Sequence, residues 1–281
     1  MHTHIFSPRM IARREDYIRQ DKTFAELYAS PKSRMITAAE LVDSMDKQGI
    51  DMSMVCNIGW TGHQLCLESN DYILESIKHY PRRLLGLVAI QPCAGDKAIY
   101  ELERCLQEGA RGIGEMRPDT QGFDMTGDNL LTAVVNCLVS HNSIWLTHAS
   151  EPVGHPYPGK GGVTPQLLYP FICRYPDLNI LLAHWGGGMP FYTLMPEVKK
   201  ALARVYFDTA ASPYLYDNSI YACVTALTGV EHILFGTDFP LIPQSRILKD
   251  IDNSVANKAD RERIKGINAQ HLLGIRDKIT D

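Results

Sequence analysis

The stretch Ile180-Leu181-Leu182-Ala183-His184 decides the fold. It is a short apolar run ending on a polar side chain, which reads as a buried strand whose C-terminal end points into a site. Three other pieces share the design: Ile144-Trp145-Leu146-Thr147-His148, Ile233-Leu234-Phe235-Gly236-Thr237-Asp238 and the opening Met1-His2-Thr3-His4. Residues two apart on a strand share a face, so His2 and His4 can aim at one point. Imidazoles and a carboxylate gathered at strand ends are the ligands of a catalytic Zn²⁺-type ion that keeps one position open for water.

Outward from these pieces, helical spacing and strand-like runs alternate. Residues 38–49 have helical spacing and end at a glycine, followed by Asp51-Met52-Ser53-Met54-Val55-Cys56-Asn57-Ile58. Helix 67–79 is closed by Pro81 before Leu84-Leu85-Gly86-Leu87-Val88-Ala89-Ile90, and helix 97–108 leads through Gly109 into Arg111-Gly112-Ile113-Gly114-Glu115-Met116. Helices 129–140 and 165–175 feed the strands that end at His148 and His184. Helix 190–204 precedes Val205-Tyr206-Phe207-Asp208, and 216–227 precedes the strand ending at Asp238; helical spacing then resumes from 245 to the C-terminus.

Seven strand-like segments thus follow the opening His-Thr-His, each preceded by a helix. This order predicts parallel β/α units, and eight strands would close a (β/α)₈ TIM barrel. Only Met1 stands before His2, so the predicted barrel has a missing or shortened first strand. A length of 281 residues suits a single barrel domain over 1–281. Two segments break the rhythm after strand ends, about 11–35 and 149–162, and are expected to lie over the mouth as lids.

Composition narrows the function classes. A 45% hydrophobic content supports a large core, and a net charge of −4 supplies no general attraction for nucleic acid or an anionic membrane. No run of 18 apolar residues and no charged-then-apolar leader occurs, which makes the cytoplasm the default address. The seven cysteines (Cys56, Cys66, Cys93, Cys105, Cys137, Cys173 and Cys223) are scattered and form no Cys-x-x-Cys pair, so they read as reduced small hydrophobes.

The chain resembles the amidohydrolase superfamily, and more closely its amidohydrolase-2 branch, which includes aminocarboxymuconate-semialdehyde decarboxylase-like enzymes. The resemblance is carried by His2-Thr3-His4, Thr147-His148, Ala183-His184-Trp185-Gly186-Gly187-Gly188, Gly236-Thr237-Asp238-Phe239-Pro240 and Asn268-Ala269-Gln270-His271-Leu272-Leu273-Gly274, in that order over nearly the whole chain. It implies a divalent metal, Zn first with Mn or Mg as alternatives, held by His2, His4, His148 and Asp238, with His184 beside the metal-bound water. In TatD-like members a glutamate in a similar Ile-Gly-Glu segment bridges two metals, which makes Glu115 a further ligand candidate and leaves the count at one or two ions per chain. With two, His184 becomes a ligand. Barrels of this branch are often dimers or larger, so a homo-oligomer is expected.

In such a site bound water falls from a pKa of about 15.7 to roughly 7. Asp238 could take the water proton and return it to a leaving group, while His184 stabilises an oxyanion. The leading expectation is therefore a metal-dependent hydrolase acting on a small, carboxylate-bearing organic substrate. The alternative is a metal-dependent decarboxylase or hydratase of an unsaturated or aromatic acid, with His184 moving protons to or from carbon. A TatD-like nuclease is a third reading, opposed by the acidic charge and the lack of a basic stripe.

Plainer readings compete. Asp238 could belong to a turn, His148 and His184 could be hydrogen-bonded core histidines, and Glu115 could pair with Arg117 or Arg111. Around the mouth, Trp60, Arg117, His155, Tyr157 and Trp185 are expected to contact substrate, and Arg117 or Lys160 to pair with its carboxylate. His63, in a loop, is a further candidate. Gly186-Gly187-Gly188 is expected to let the backbone pass close under the substrate.

Overall fold

Eight parallel strands follow one another in chain order around a ring in the computed structural model, which describes residues 1–126 and 129–275. They are β1 (Thr3–His4), β2 (Ser53–Cys56), β3 (Leu84–Gly86), β4 (Gly112–Met116), β5 (Ile144–Thr147), β6 (Asn179–Leu182), β7 (Val205–Asp208) and β8 (Ile233–Leu234). One ladder joins β1 to β3 and another joins β4 to β8. Two bridges, Val88 to Ile113 and Thr3 to Phe239, connect the ladders and close the (β/α)₈ barrel. The His4 N–H donates to Phe239 O at 2.7 Å, and the Val88 N–H to Gly112 O at 3.0 Å. The first strand is thus shortened: β1 has two residues and is paired on both sides.

Alternation explains why polar residues gather at one end. Met54 and Cys56, Ile144 and Leu146, Leu181 and Ala183, and Leu234 pack together inside the ring. Two residues beyond Leu146, on the same face, comes His148; four beyond Leu234 comes Asp238. The intervening Val55, Ile113, Trp145, Ile180, Leu182, Phe207 and Ile233 face outward onto helix residues such as Leu41, Ile73, Leu102, Leu138, Phe171 and Val224. At Gly114 (φ 155°), a Cβ would lie 2.6 Å from that of Leu146, so only glycine fits.

Helix Ala38–Gln48 starts where Thr37 and Glu40 form a reciprocal capping box and stops at Gly49 in the left-handed region. The helix predicted over 190–204 is broken. Short 3₁₀ turns run through Leu194, Met195 is extended, and the α-helix is only Pro196–Ala201, because a residue before proline is pushed out of the helical region. The helix expected from 245 onward is interrupted at the extended Val255 and resumes in pieces up to Leu273; residues 276–281 of that expectation lie outside the described residues.

Segment 11–35 is more ordered than a plain loop. Helices Pro8–Ala12, Arg14–Gln20 and Lys22–Tyr28 bury Met10, Tyr17, Phe24 and Tyr28 in a cluster with Phe6 and Trp60. Phe24 stacks on Trp60 at 5.3 Å, a contact of the kind that adds about 0.5–1.5 kcal/mol beyond burial. Asp21 fastens the segment, accepting the Thr61 N–H and hydroxyl at 2.7 Å each. Among the described residues, no helix is long and apolar enough to cross a membrane.

Candidate metal centre

His2, His4, Glu115, His184 and Asp238 converge at the C-terminal end of the barrel. The Nε2 atoms of His2 and His4 face one another at 3.0 Å. Asp238 Oδ1 is 3.0 Å from His4 Nε2 and 3.9 Å from His2 Nε2, and Glu115 Oε2 is 3.7 and 3.6 Å from the same atoms. His184 Nε2 lies 3.6 Å from Asp238 Oδ2. Donors each about 2.1 Å from one ion stand roughly 3–3.6 Å apart, so these spacings suit a shared cation.

Hydrogen-bond partners fix the tautomers. Nδ1 of His4 meets Asn57 O at 3.1 Å and Nδ1 of His184 meets Ala149 O at 3.3 Å; a carbonyl only accepts, so both Nδ1 atoms carry protons. His2 Nδ1 likewise donates to Asp208 Oδ2 at 2.9 Å. In the neutral rings all three Nε2 atoms then present lone pairs inward, and two lone pairs 3.0 Å apart cannot bond to each other. His184 Nε2 is buried with no hydrogen-bond partner. Inward Nε2 lone pairs backed by outer acceptors are the usual arrangement of metal-ligating histidines, and the donor set fits a divalent ion.

The charges agree. Burial disfavours the protonated form of His2, but the Asp208 and Glu115 carboxylates outweigh it and hold the pKa well above 6.5. Burial works against the Glu115 and Asp238 anions as well, yet the histidines keep both below the ordinary carboxylate range. His148 behaves differently: burial and then the Arg117 charge lower its pKa. Its Nδ1 donates to Glu115 Oε1 at 2.9 Å, and the Ser150 hydroxyl meets its Nε2 at 2.9 Å. His148 therefore stands one step outside the cluster, joined to it through Glu115.

A family model for amidohydrolases (Amidohydro_2) matches residues 1–275. The chain belongs to this family. Its curated relatives include a 2-amino-3-carboxymuconate-6-semialdehyde decarboxylase from Dictyostelium discoideum, 22% identical over 249 residues. That match takes in 73% of this chain and 65% of the relative, so the chain spans just under two-thirds of that relative's length. A gamma-resorcylate decarboxylase from Polaromonas sp. (strain JS666) is 23% identical over 309 residues, covering 90% of this chain and 91% of its own. Among solved structures, 5-carboxyvanillate decarboxylase from Sphingomonas paucimobilis superimposes with a TM-score of 0.79 at 19% identity, over 98% of both chains. A dihydroxybenzoic acid decarboxylase from Polaromonas sp. JS666, with bound manganese and 2-nitroresorcinol, gives 0.73 at 18% identity over 98% and 97%. These likenesses show the shared barrel fold.

In this amidohydrolase the residues expected around the mouth divide. Trp185 is a correction: it is fully buried, its Nε1 donates to Ser212 Oγ at 2.6 Å, and its ring packs edge-on against Tyr221. The physical reason is the run of positive φ from Trp185 to Gly188, which swings the indole into the layer behind the strands. Trp60 is also wholly enclosed, stacked on Phe24. Arg117 is buried and engaged by Asp119 Oδ1 at 3.2 Å and Glu26 at 3.4 Å, and Lys160 Nζ donates to the Val153 and His155 carbonyls. His155 is exposed on the 149–162 loop, and Tyr157 is half-buried with its hydroxyl on Glu151 Oε2 at 3.3 Å. His63 is the first residue of helix His63–His79 rather than part of a loop. The glycine run corrects another expectation: a Cβ on Gly187 would sit 2.3 Å from Ser150 O, so its neighbour is protein backbone.

Three contributors escaped the sequence reading. Asp208 ends β7 and buttresses His2; Ser150 contacts His148; Tyr28, whose pKa is raised by burial, lies within reach of the His4 and Asp238 charges. Only Asp208 left a signal, as a polar residue ending an apolar strand.

Proposed function

We propose that this amidohydrolase is a metal-dependent decarboxylase of an aromatic or unsaturated acid, rather than the hydrolase that the sequence put first. The observation that carries this reading is the buried His184 Nε2, which has no hydrogen bond and faces Asp238 Oδ2 at 3.6 Å within the donor cluster. The decarboxylase relatives support it. When bound, a divalent ion, Mn²⁺ or Zn²⁺, supplies Lewis acidity and fixed positive charge, held by His2, His4 and Asp238 with Glu115 alongside.

The chain's own groups then have separate tasks. Asp238 and Glu115 keep positive charge on His184: burial opposes its protonation, but both carboxylates outweigh it. Protonated at Nε2, His184 delivers that proton to the substrate carbon bearing the carboxylate. The carbon–carboxylate bond then breaks, its electron pair stays with the carbon skeleton, and carbon dioxide leaves. His184 regains a proton from solvent. Burial of His2, His4, Glu115 and His184 strengthens the charge interactions among them. Segments 11–35 and 149–162 serve as covers over this mouth.

The test is a panel of aromatic carboxylates set against lactones, esters and amides, with Mn²⁺ or Zn²⁺ added. Release of carbon dioxide without ester or amide cleavage is expected. Lactone or amide cleavage with no carbon dioxide from any acid would overturn the reading.

A further inference from the structure

The two segments that cover the mouth are held in different ways. Cover 11–35 is packed down: Tyr17, Phe24 and Tyr28 are buried in one cluster with Trp60, and Asp21 is bonded to Thr61. Between 151 and 162 no apolar side chain is buried, residues 152–156 are exposed, and Val153 is 74% exposed.

This second stretch is closed on itself. The Ser150 N–H donates to Val163 O at 2.8 Å and the Gly161 N–H to Ser150 Oγ at 3.2 Å, so its ends meet in a neck. Inside, the Lys160 N–H donates to Tyr157 O at 3.1 Å, and its ammonium to Val153 O at 2.6 Å and His155 O at 3.2 Å. Joined ends and a filling of its own side chains make this an Ω-loop, a compact unit of the kind that often carries function. Its root lies at the centre, where Ser150 Oγ meets His148 Nε2 at 2.9 Å.

Beyond the root the loop is seated at two places. The Gly162 N–H donates to Asp119 Oδ2 at 3.1 Å, and a Cβ on Gly161 would lie 2.0 Å from that oxygen, so the backbone passes directly against it. Asp119 is held in turn by the buried Arg117 at 3.2 and 3.3 Å, whose other partner is Glu26 of the packed cover at 3.4 Å. Gly159 rests on the same cover, for a Cβ there would lie 3.0 Å from Leu27 Cδ2.

We propose that residues 150–163 form a lid that swings over the metal centre as one preformed unit, latched on Asp119 and closing against the fixed cover 11–35. Opening breaks the Gly162–Asp119 hydrogen bond and the Leu27 contact, but none of the bonds within the loop. It strands no charge, because Arg117 stays paired with Asp119 and Glu26. Few buried apolar contacts and a self-contained set of bonds place the segment at the low end of local stability, where gating elements are found. The neck stays closed and is the pivot. The lid rests on the proposed use of this mouth for metal-dependent chemistry on a small acid.

The experiment is residue-resolved amide hydrogen exchange by NMR on the protein with Zn²⁺ added, comparing the parent chain with Asp119→Ala. In the variant the Gly162 amide should exchange at least about tenfold faster, while the Lys160 and Gly161 amides, bonded inside the loop, change less than about twofold. Release of Zn²⁺ to excess dipicolinate, a planar chelator that has to enter the mouth, should speed up at least about fivefold. Asp119→Asn keeps the size of the side chain and drops its charge; it should show the same order at smaller amplitude, and it decides where the alanine variant fails to fold. Lys160 and Gly161 rising together with Gly162 would mean that the segment melts instead of swinging, and overturns the lid. So does a Gly162 amide that ignores both substitutions. The amide readout depends on neither the ion nor turnover. No carbon dioxide release counts against the decarboxylase reading alone, whereas carbon dioxide release with chelator access unaffected by either substitution counts against the lid alone.

Discussion

Asp208 accepts the Nδ1 proton of His2 at 2.9 Å, so a residue that would touch no metal sets which nitrogen of a candidate ligand points inward. Its other oxygen takes the His184 and Ala210 backbone N–H groups at 2.9 and 3.0 Å, tying β7 to the turn that carries His184. Asp208→Asn preserves size and one acceptor but removes the charge that makes the His2 ring a better ligand. Metal affinity, measured by chelator competition, should fall about 10- to 100-fold with the fold retained. Undiminished affinity would show that Asp208 only anchors backbone.

Asp238→Asn separates proton and charge roles from shape. Asp238 sits at φ 57°, a left-handed position that aspartate and asparagine both tolerate, so the backbone survives the change. An amide neither ionises nor pairs with His184 and His4 as the carboxylate does. Turnover should drop by about 10²- to 10⁴-fold while the unfolding temperature changes little. A variant that keeps wild-type kcat would remove Asp238 from the chemistry.

Gly187 is held by geometry. With φ at 57° and a would-be Cβ 2.3 Å from Ser150 O, alanine there must displace either the β6 turn or the loop carrying Ser150. Gly187→Ala should cost at least about 2 kcal/mol in chemical unfolding, from left-handed strain and the backbone clash together. A loss below half of that would mean the two loops are free to separate.

What the sequence made legible follows from the period of a strand. Leu146 and His148, or Leu234 and Asp238, share a face because side chains alternate, so an apolar interior and its polar rim can be read off one strand at a time. Even the two-residue β1 was visible, because His-Thr-His needs only one alternation. Asp208 was read as a strand end but not as a partner of His2, since that contact joins positions 206 residues apart. Trp185 was misplaced because its direction depends on the sign of φ, which residue type does not announce. The stretch 8–28 hid three helices of 5 to 7 residues, too short for a clear period and stabilised by packing on Trp60.

The stoichiometry follows from His148. Its Nδ1 is committed to Glu115 and its Nε2 to Ser150, which leaves His2, His4, His184, Glu115 and Asp238 around one point. Elemental analysis of protein purified without chelator should therefore find about one divalent ion per chain. About two would mean that His148 releases Ser150 and that Glu115 bridges a pair of ions, the TatD-like arrangement.

Protons and a cation compete for the same lone pairs, which sets a pH dependence with a definite sign. In metal-free protein His2 and His4 have folded pKa values well above 6.5: burial opposes this, but Asp208 and Glu115 outweigh it at His2, and Cys56 and Asp238 at His4. Their contribution to stability is complete below about pH 6.5, where the unfolded imidazoles are also protonated, and is lost as pH rises through the folded values. Glu115, held below its ordinary range, contributes above its unfolded value of about 4.3 and loses that contribution as acid protonates it in the fold. Chelator-treated protein should thus lose thermal stability as pH rises above about 6.5. A bound cation displaces these protons, so the stabilisation gained from Mn²⁺ should grow over the same interval and be accompanied by proton release. Thermal unfolding with chelator and with Mn²⁺ at several pH values measures both trends. A gain from Mn²⁺ that stays flat with pH would mean that the ion does not bind through these imidazoles.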